Sequence, residues 1–462
     1  MTTAPVYRSV LEAIGNTPLH EVTRLDTGKC RLFLKLENQN PGGSIKDRIG
    51  LAMIDAAERG GKLKPGGTIV EATAGNTGLG LAVVASQRGY KLILVVPDKM
   101  AQEKIFHLRA LGTQVMMTRS DVAKGHPDYY QDIAARLCAE HPEYFYVNQF
   151  ENPVNPLAHE ETTGPEIHAQ LATLGLKADA VICGVGSGGT LAGLSRFFAK
   201  AAPDAEMILA DPEGSILADY VKTGKLSNDV GSWMVEGIGE DFLPPVTDLS
   251  RVKTAYTIPD AESFATARDL LRREGLIAGS SSGTLIAAAL RYCRAQSAEK
   301  TVVTFICDSG NKYLSKMYND FWMADNGFLK LDMKGDLRDL IARKYAEGNT
   351  VTVASRTPIM QAYRQMKLYE ISQLPVVDDT RLVGLVDEED LLTHVFERRN
   401  FEGTVADIMV GDLKTVEATD NLNKVLSILT RGMVVPVLHE GRFQGLITKI
   451  DVLNHLRLTQ PH

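Results

Sequence analysis

Glycine-rich segments that join a strand candidate to a helix candidate hold the residues best suited to chemistry. The first contains Gly42, Gly43 and Lys46. Glycines let a backbone approach a ligand closely. The helix dipole disfavours the charge of a lysine at a helix start and helps to lower its pKa. A neutral lysine amine can form a Schiff base with an aldehyde. An ordinary solvated lysine is the alternative, and this segment alone does not decide between the two.

The second segment contains Thr73, Gly75, Asn76 and Thr77. Backbone N–H groups at a helix start bind carboxylates, and threonine hydroxyls add hydrogen-bond donors. The amide of Asn76 can also donate to a phenolate oxygen. A simple helix N-cap is the alternative for this segment.

The third segment follows the strand candidate 178–183 and can hold a phosphate at a helix N-terminus. Its residues are Gly184, Val185, Gly186, Ser187, Gly188, Gly189 and Thr190. The glycine spacing also matches the dinucleotide fingerprint, and Asp211 ends the next strand candidate, where a ribose-binding acid would lie. An NAD-dependent oxidoreductase therefore stays open as an alternative, although it leaves the other segments unexplained.

A fourth segment, with Ser280, Ser281 and Ser282, begins another helix candidate. A neutral hydroxyl there can bond a ring nitrogen, and a serine-rich N-cap is the alternative. Together the four segments supply an aldehyde-trapping lysine, a phosphate cradle, a phenolate donor, a partner for a pyridine nitrogen and a carboxylate loop. Pyridoxal phosphate needs the first four, and an amino-acid substrate needs the fifth.

Composition excludes several classes of protein. The 462 residues suggest about three folded units. The net charge of −7 gives no sign of a nucleic-acid partner. Apolar runs are strand-sized, so no membrane span is expected, and the N-terminus does not resemble a signal peptide. Five scattered cysteines predict reduced thiols in the cytoplasm and no metal site.

Alternating strand and helix candidates from about residue 31 to 318 predict an α/β fold with parallel strands. Ligands in such folds bind at the carboxyl ends of the strands. The strand candidates are 31–37, 68–71, 91–96, 114–118, 178–183, 207–211 and 301–307. The charged segment 326–348 is interpreted as a helical linker that follows a core of residues 1–325.

A repeat follows the linker. Four pairs of identical residues stand 61 positions apart: Pro375 and Pro436, Gly384 and Gly445, Asp390 and Asp451, and His394 and His455. One shared offset predicts two copies of a small unit. We assign the copies to residues 349–400 and 401–462.

Residues ~7–322 resemble the fold-type-II pyridoxal-phosphate enzymes of the cysteine synthase and cystathionine β-synthase family. The motifs that carry this resemblance are Ile14-Gly-Asn-Thr-Pro18, Gly42-Gly-Ser-Ile-Lys46-Asp-Arg48, Thr73-Ala-Gly-Asn-Thr-Gly78, Asn155-Pro-Leu-Ala-His159, Gly186-Ser-Gly-Gly-Thr190 and Glu236-Gly-Ile-Gly239. The repeat pair resembles the tandem regulatory CBS repeats. The resemblance implies two open twisted parallel-sheet subdomains followed by this repeat module.

The resemblance also implies residue roles. Lys46 would hold the cofactor as a Schiff base, Asn76 would bond its phenolic oxygen, and Ser281 would face its pyridine nitrogen. The phosphate would lie on Gly186, Ser187, Gly188, Gly189 and Thr190. The substrate carboxylate would lie on Thr73, Gly75, Thr77 and Gln149.

The implied activity is that of a lyase that condenses L-serine with L-homocysteine by β-replacement, with hydrogen sulfide production as a side activity. O-acetylserine as donor, with sulfide or a thiol as acceptor, is the alternative. Phe150 and Glu240 stand where eukaryotic cystathionine β-synthases carry tyrosines, and Ala74 stands where most relatives have serine, so the second substrate stays open. The 13 residues before Ile14 contain no Cys or His, so no haem is expected. A homodimer or higher homo-oligomer is expected.

In the repeats, Thr-x-x-Asp pairs of this family hold adenosine-containing ligands, S-adenosylmethionine in animal relatives. Thr448 and Asp451 form such a pair, whereas Asp387 replaces the threonine before Asp390. At most one adenosyl site is therefore expected. A module that serves only dimerisation is the alternative.

Overall fold

The structure is a computed structural model of the chain. It describes residues 6–73, 75–98, 100–122, 125–227, 230–329, 334–430, 432 and 434–459. Position 74, where the sequence has alanine, therefore lies outside the described residues. The chain divides into two compact units, Met1–Trp322 and Met323–His462.

The first unit is built on two sheets. Their strands are β1 (Leu19–Glu21), β2 (Arg31–Leu36), β3 (Thr68–Ala72), β4 (Lys91–Pro97), β5 (Gln114–Thr118), β6 (Phe145–Tyr146), β7 (Ala180–Cys183), β8 (Glu206–Pro212), β9 (Val252–Ile258) and β10 (Thr301–Ile306). The six-stranded sheet has the order β1-β2-β10-β7-β8-β9, and the four-stranded sheet has the order β5-β4-β3-β6. Only β1 pairs antiparallel among the described strands of these two sheets.

Helices follow most of these strands. They are α1 (Lys46–Arg59), α2 (Asn76–Arg88), α3 (Gln102–Ala110), α4 (Tyr130–Glu140), α5 (Val154–Ala158), α6 (Gly164–Ala172), α7 (Gly189–Ala201), α8 (Leu217–Thr223), α9 (Asp260–Glu274), α10 (Ser280–Arg294) and α11 (Asp320–Asp325). The central strands β7 and β10 are buried along their whole length. Such continuous apolar runs are expected where helices cover both faces of a parallel sheet.

The predicted α/β class with parallel sheets is confirmed. Each of the seven strand candidates matches an observed strand, and its ends differ from the observed ends by at most two residues. The sequence prediction missed β1, β6 and β9. Strand β9 (Val252–Ile258) is the edge of its sheet, and its five inner residues are only partly buried or exposed. An edge strand needs no continuous apolar run, which is why its mixed pattern gave a weak signal.

The second unit contains the two repeats. Its elements are α12 (Ile359–Tyr369), β11 (Gln373–Asp378), β12 (Arg381–Asp387), α13 (Glu388–Arg398), β13 (Val416–Glu417), α14 (Leu422–Leu429), β14 (Val434–His439), β15 (Arg442–Thr448) and α15 (Lys449–Thr459). Strands β11 and β12 form one antiparallel hairpin, and β14 and β15 form the other. Both hairpins shift register at the same relative position, after Val376 and after Val437. The equivalent irregularity supports the 61-residue repeat.

The segment 326–348, predicted as a helical linker, has a different structure in its described part. It holds two short 3-10 turns, Leu337–Leu340 and Tyr345–Glu347. The side chains of Leu337, Leu340 and Ile341 are buried with the apolar core of the second repeat. These apolar residues sit among charged ones, so the sequence pattern hid their packing, and the segment belongs to the repeat module.

No helix among the described residues is both long enough and apolar enough to cross a bilayer. All five cysteines are free thiols. The described residues contain no cluster of His, Cys, Asp and Glu suited to a metal ion.

Candidate active site

Lys46 is the first residue of α1 and lines the main cavity of the first unit, which has a volume of about 430 Å³. The end of β10 supports this position, because the Ile45 N–H donates to the Cys307 carbonyl at 2.8 Å. Burial lowers the pKa of the Lys46 amine, and the nearby Cys307 and Asp308 oppose this only in part. The neutral amine is the form that attacks a carbonyl carbon. The sequence predicts that the helix dipole lowers the pKa of Lys46, whereas in the structure burial is the main cause of the lowered pKa.

Asn76 begins α2, and two side chains from the segment after β10 fix its amide. Its Nδ2 donates to Asp308 Oδ2 at 2.8 Å, and its Oδ1 accepts from Lys312 Nζ at 2.9 Å. Lys312 also donates to the carbonyls of Gly42 and Gly43, at 2.9 and 3.1 Å. An ammonium can only donate and a carboxylate can only accept, so the amide cannot flip. One Nδ2 hydrogen remains for a ligand oxygen.

The sequence prediction missed Asp308 and Lys312. A signal was available, because these residues follow strand β10 in the same way that the glycine-rich segments follow their strands. Their segment also carries Tyr313, whose hydroxyl donates to Asp308 Oδ2 at 2.6 Å. Asp308 thus ties the Asn76 amide to the buried Tyr313 ring.

The proposed carboxylate loop lies on the same cavity. Thr73, Gly75, Thr77 and Gln149 all line it. The Gly75 N–H donates to Thr73 Oγ1 at 3.1 Å, and Thr77 Oγ1 donates to Gln149 Oε1 at 2.6 Å. Gly75 adopts φ +155°, a conformation that favours glycine. The loop therefore aims the N-terminal turn of α2 at the cavity.

The third glycine-rich segment turns from β7 into α7, and its glycine positions leave no room for a Cβ. A Cβ at Gly186 would lie 2.6 Å from the Gly237 carbonyl oxygen, and one at Gly188 would lie 1.7 Å from Thr247 Oγ1. A Cβ at Gly189 would lie 1.8 Å from Asn155 Oδ1. Gly186, Ser187 and Thr190 line the cavity, and Gly188 and Gly189 complete the turn. The free N–H groups at the start of α7 suit an anion of phosphate size.

The three serines at the start of α10 have different environments. Ser280 Oγ accepts from the Glu236 N–H at 3.0 Å, and Ser282 Oγ accepts from the Cys307 N–H at 2.9 Å. Only Ser281 of the three lines the cavity. This arrangement supports the choice of Ser281 as the hydroxyl that meets a ligand.

Charged residues that the sequence prediction did not select also line the cavity. Lys104 Nζ pairs with Glu236 Oε2 at 2.6 Å, and Lys316 Nζ pairs with Glu236 Oε1 at 2.7 Å. These two lysines lower the pKa of Glu236 against the effect of burial. Arg119, Glu240 and Asp241 lie on the same cavity. Side chains of both signs of charge therefore lie on the cavity lining.

The structure argues against the dinucleotide-binding alternative, because Asp211 is not placed to bind a ribose. Asp211 Oδ2 accepts from the Ala218 N–H of α8 at 2.8 Å, so this carboxylate caps a helix. Asp211 is fully buried and is absent from the cavity lining. It cannot act as the ribose partner that a dinucleotide site requires.

Thr448 and Asp451, the predicted regulatory residues, lie in the second unit. The Thr448 N–H donates to Asp451 Oδ2 at 2.7 Å, and Thr448 Oγ1 donates to the same oxygen at 2.5 Å. Asp387 and Asp390 form the equivalent capping box in the first repeat. In this structure both pairs cap helices.

The first unit thus brings together a buried lysine of lowered pKa, a glycine cradle that accepts no Cβ, an oriented amide and a hydroxyl. This donor set fits pyridoxal phosphate, whose aldehyde, phosphate, phenolic oxygen and ring nitrogen need one partner each. The geometry defines the class as that of pyridoxal-phosphate-dependent enzymes. The sequence profile of the family "Pyridoxal-phosphate dependent enzyme" matches residues 10–308, and that of the "CBS domain" matches residues 338–397 and 405–458.

Comparison with individual proteins shows which pyridoxal-phosphate enzymes the chain resembles. The chain is 34% identical to a cystathionine β-synthase of Dictyostelium discoideum, over 98% of this chain and 93% of the relative. The structure of an O-acetylserine-dependent cystathionine β-synthase from Helicobacter pylori is 36% identical, with a TM-score of 0.61 over 68% of this chain and 99% of that one. A hydrogen sulfide-producing enzyme from Fusobacterium nucleatum is 35% identical, with a TM-score of 0.61 over 67% and 100%. The chain belongs to the cystathionine β-synthase family of pyridoxal-phosphate enzymes.

Proposed function

We propose that the chain catalyses β-replacement, condensing L-serine with L-homocysteine to L-cystathionine. The observation that carries the proposal is the buried Lys46 amine of lowered pKa, which shares one cavity with the carboxylate loop and the phosphate cradle. When bound, pyridoxal phosphate supplies an aldehyde for the substrate amine and a ring that withdraws electrons from the α-carbon.

Each residue has a defined task in this proposal. Lys46 would hold the cofactor through its aldehyde, and its free amine would take the proton from the substrate α-carbon as a general base. Thr73, Gly75, Thr77 and Gln149 hold the substrate carboxylate and so fix the α-carbon. The β-hydroxyl of serine would leave as water, with the proton of the acceptor thiol. The thiolate would then bond to the β-carbon, and Lys46 would return its proton to the α-carbon.

Ser281 and Asn76 hold the ring of the cofactor. A neutral hydroxyl at Ser281 leaves the ring nitrogen largely unprotonated, which weakens electron withdrawal and disfavours transamination. The remaining Asn76 hydrogen donates to the phenolic oxygen. Lys312 and Asp308 hold the amide in the orientation that this donation requires.

The acceptor proposal is supported by the charges on the cavity lining. A second amino acid brings one carboxylate and one ammonium group. Lys104, Lys316 and Arg119 offer positive partners, and Glu236, Glu240 and Asp241 offer negative ones. A sulfide acceptor would need none of them.

A second candidate donor is O-acetylserine, which Phe150 favours. A leaving β-hydroxyl needs a proton, whereas acetate leaves without one. Phe150 lines the cavity and contacts Phe242, with ring centroids 5.8 Å apart, and its ring supplies no hydroxyl. Tyr129 and Tyr130 also line the cavity, and burial raises the pKa of both, so they keep their protons and remain candidate donors to a leaving hydroxyl.

The deciding experiment uses purified chain, its absorption spectrum and product identification with each donor and acceptor. We expect a yellow protein that loses its colour on reduction with borohydride, and cystathionine as the product from homocysteine. Comparing serine with O-acetylserine ranks the donors. The Lys46→Ala variant is the control for reaction without the enzyme's own amine. A colourless protein, or no cystathionine from either donor, would contradict the proposal.

We also propose a cytoplasmic homo-oligomer, with a homodimer as its unit. Five free cysteines suit a reducing compartment. Leu392 and Phe396 on α13, with Ile450 and Leu453 on α15, are 60–68% exposed and occupy equivalent helices of the two repeats. A second copy would bury them. Sedimentation of the wild type and of a Leu392→Asp/Leu453→Asp variant tests this, and a monomeric wild type would contradict it.

We propose an adenosyl ligand for the module, at Thr448 and Asp451. The half-buried carboxylate of Asp451 has a raised pKa through burial, although Thr448 opposes the shift. In the first repeat, Asp387 adds a second carboxylate beside Asp390, which repels phosphates. At most one site per chain is therefore expected.

A further inference from the structure

Two hydroxyls of the phosphate cradle are contacted from behind by fully buried side chains. Asn155 Nδ2 donates to Ser187 Oγ at 2.9 Å. His159 Nε2 lies 3.2 Å from Thr190 Oγ1. Asn155 and His159 come from α5 and from the π-helical turn that follows it, His159–Thr163. Neither residue lines the cavity, so neither touches the ligand directly.

The position of the proton on His159 can be worked out from its neighbours. Burial, with the positive charge of Arg48, holds the pKa of His159 well below its usual range, so the ring is neutral and carries one N–H. Its Nδ1 lies 2.9 Å from Thr163 Oγ1, and Thr163 is fully buried. Within the described part of the chain, this ring nitrogen is the hydrogen-bond partner found for the Thr163 hydroxyl.

A buried hydroxyl hydrogen without an acceptor is costly. The Thr163 O–H therefore donates to Nδ1, and the ring proton lies on Nε2, from which it donates to Thr190. The opposite tautomer would leave the Thr163 hydrogen unpaired in the interior. It would also turn the Thr190 hydrogen backward, toward His159.

The orientation of Asn155 is fixed by a similar argument. Its second contact is to the Gln149 carbonyl at 2.8 Å. A carbonyl oxygen can only accept, so the amide group that faces it is Nδ2. The second Nδ2 hydrogen then reaches Ser187 Oγ. Among the described residues no hydrogen-bond partner is found for Asn155 Oδ1, so no contact of that oxygen there opposes this orientation.

We propose that His159 and Asn155 are positioning residues that set the hydrogen-bond polarity of the cradle. Each fills the acceptor position of a cradle hydroxyl from behind, so that the hydrogens of Thr190 and Ser187 donate to the phosphate of the cofactor. The proposal rests on the proposed function, because it takes the anion to be the phosphate of pyridoxal phosphate. It explains why a histidine that never meets the ligand is buried behind the loop.

Two substitutions of His159 separate its donor from its bulk. His159→Gln keeps an amide N–H that can reach the Nε2 position, whereas His159→Asn ends near the Nδ1 position and cannot reach Thr190. The exposed His126 provides His126→Asn as the matched control. Each variant is freed of cofactor and titrated with pyridoxal phosphate and with pyridoxal, and the absorbance of the bound chromophore gives the affinity. Pyridoxal has the same ring and aldehyde but no phosphate.

We expect His159→Asn to weaken binding of pyridoxal phosphate by about tenfold or more, the effect of one charge-assisted hydrogen bond. Its affinity for pyridoxal should stay unchanged, and His159→Gln should keep most of the affinity for pyridoxal phosphate. Equal weakening of both ligands in His159→Asn, unchanged binding of pyridoxal phosphate, or equal behaviour of Gln and Asn would overturn the proposal.

A measurement on the wild type covers variants that fail to fold. The nitrogen-15 shifts of labelled histidine report the tautomer of His159 in the full chain without cofactor. We expect the proton on Nε2, and a proton on Nδ1 would overturn the proposal while leaving the proposed function intact. A wild type that binds no pyridoxal phosphate would instead overturn the proposed function, and with it this role.

Discussion

Replacing Gly189 by alanine tests how tightly the cradle is packed. A Cβ at this position would lie 1.8, 2.3 and 2.8 Å from Oδ1, Cγ and Nδ2 of Asn155. Gly189 has no positive φ, so the backbone itself tolerates alanine. Asn155 is fully buried and would have to move by roughly 1.7 Å to reach an ordinary contact of ~3.5 Å.

That movement has a calculable cost. It breaks the two Nδ2 hydrogen bonds, to Gln149 O and Ser187 Oγ. Each is worth about 1 kcal/mol net, and overpacking adds about 1–3 kcal/mol. We therefore expect Gly189→Ala to lower the free energy of unfolding by about 3–5 kcal/mol. Cofactor affinity should fall as well, because Ser187 loses its partner.

The assay is urea unfolding followed by tryptophan fluorescence. The two tryptophans, Trp233 and Trp322, both belong to the first unit, so the signal reports that unit. The exposed helix end Gly60 supplies Gly60→Ala as a control, which should stay within about 1 kcal/mol of the wild type.

A double-mutant cycle isolates the clash. Asn155→Ala removes all three atoms that the new Cβ would meet. Both single changes break the same two hydrogen bonds, and only Gly189→Ala adds the clash. The double variant should therefore be more stable than the sum of the single changes, by about 3–5 kcal/mol. Additive effects, or a Gly189→Ala cost under about 1 kcal/mol, would refute the packing argument.

Four further predictions concern function and domain limits. Lys46→Ala should lower turnover by at least ~10²–10⁴, because it removes the general base, while circular dichroism stays native; a variant with a tenth of wild-type turnover contradicts this. Ser281→Asp should lower β-replacement activity by about tenfold or more with little loss of bound cofactor, because a nearby carboxylate raises the pKa of the ring nitrogen by ~1–3 pH units. If activity is lost in Ser282→Asp and kept in Ser281→Asp, the assignment of Ser281 is wrong. A chain ending at Asp325 should bind cofactor and catalyse the reaction. It should also be more soluble than a chain ending at Gly348, because the longer chain keeps Leu337 and Leu340 but lacks the core that buries them. Higher solubility of the longer chain would contradict the division at Trp322. Calorimetric titration with S-adenosylmethionine, AMP and ATP should give heat for one of them that Asp451→Ala abolishes; heat that persists in the variant contradicts the assigned site.

Where one loop carries its own signal, the sequence predicted residues that the structure places around one cavity. Lys46, Asn76 and the glycines of the phosphate segment are recognisable because strand, glycine-rich turn and helix follow one another along the chain. Asp308 and Lys312 were missed because their role depends on the contact between the end of β10 and two other loops. His159 was visible only as part of a family motif, since its donor role depends on Thr163 and Thr190 together. Such tertiary relations have no local pattern.

In the repeat module a local pattern is present, but it has two possible structural meanings. A threonine three residues before an aspartate is the pattern from which an adenosyl site is predicted, but it is also the pattern of a capping box. In that box the threonine hydroxyl accepts from the N–H of the third helical residue, and the carboxylate accepts from the N–H of the threonine. In the structure Asp451 accepts from both the N–H and the hydroxyl of Thr448. Oδ2 of Asp451 is therefore already used as the acceptor of the helix cap. If an adenosyl ligand takes that oxygen, the start of α15 loses a cap worth about 1 kcal/mol. A ligand that binds there would then alter the stability of α15 directly, which gives the module a physical means of reporting that ligand.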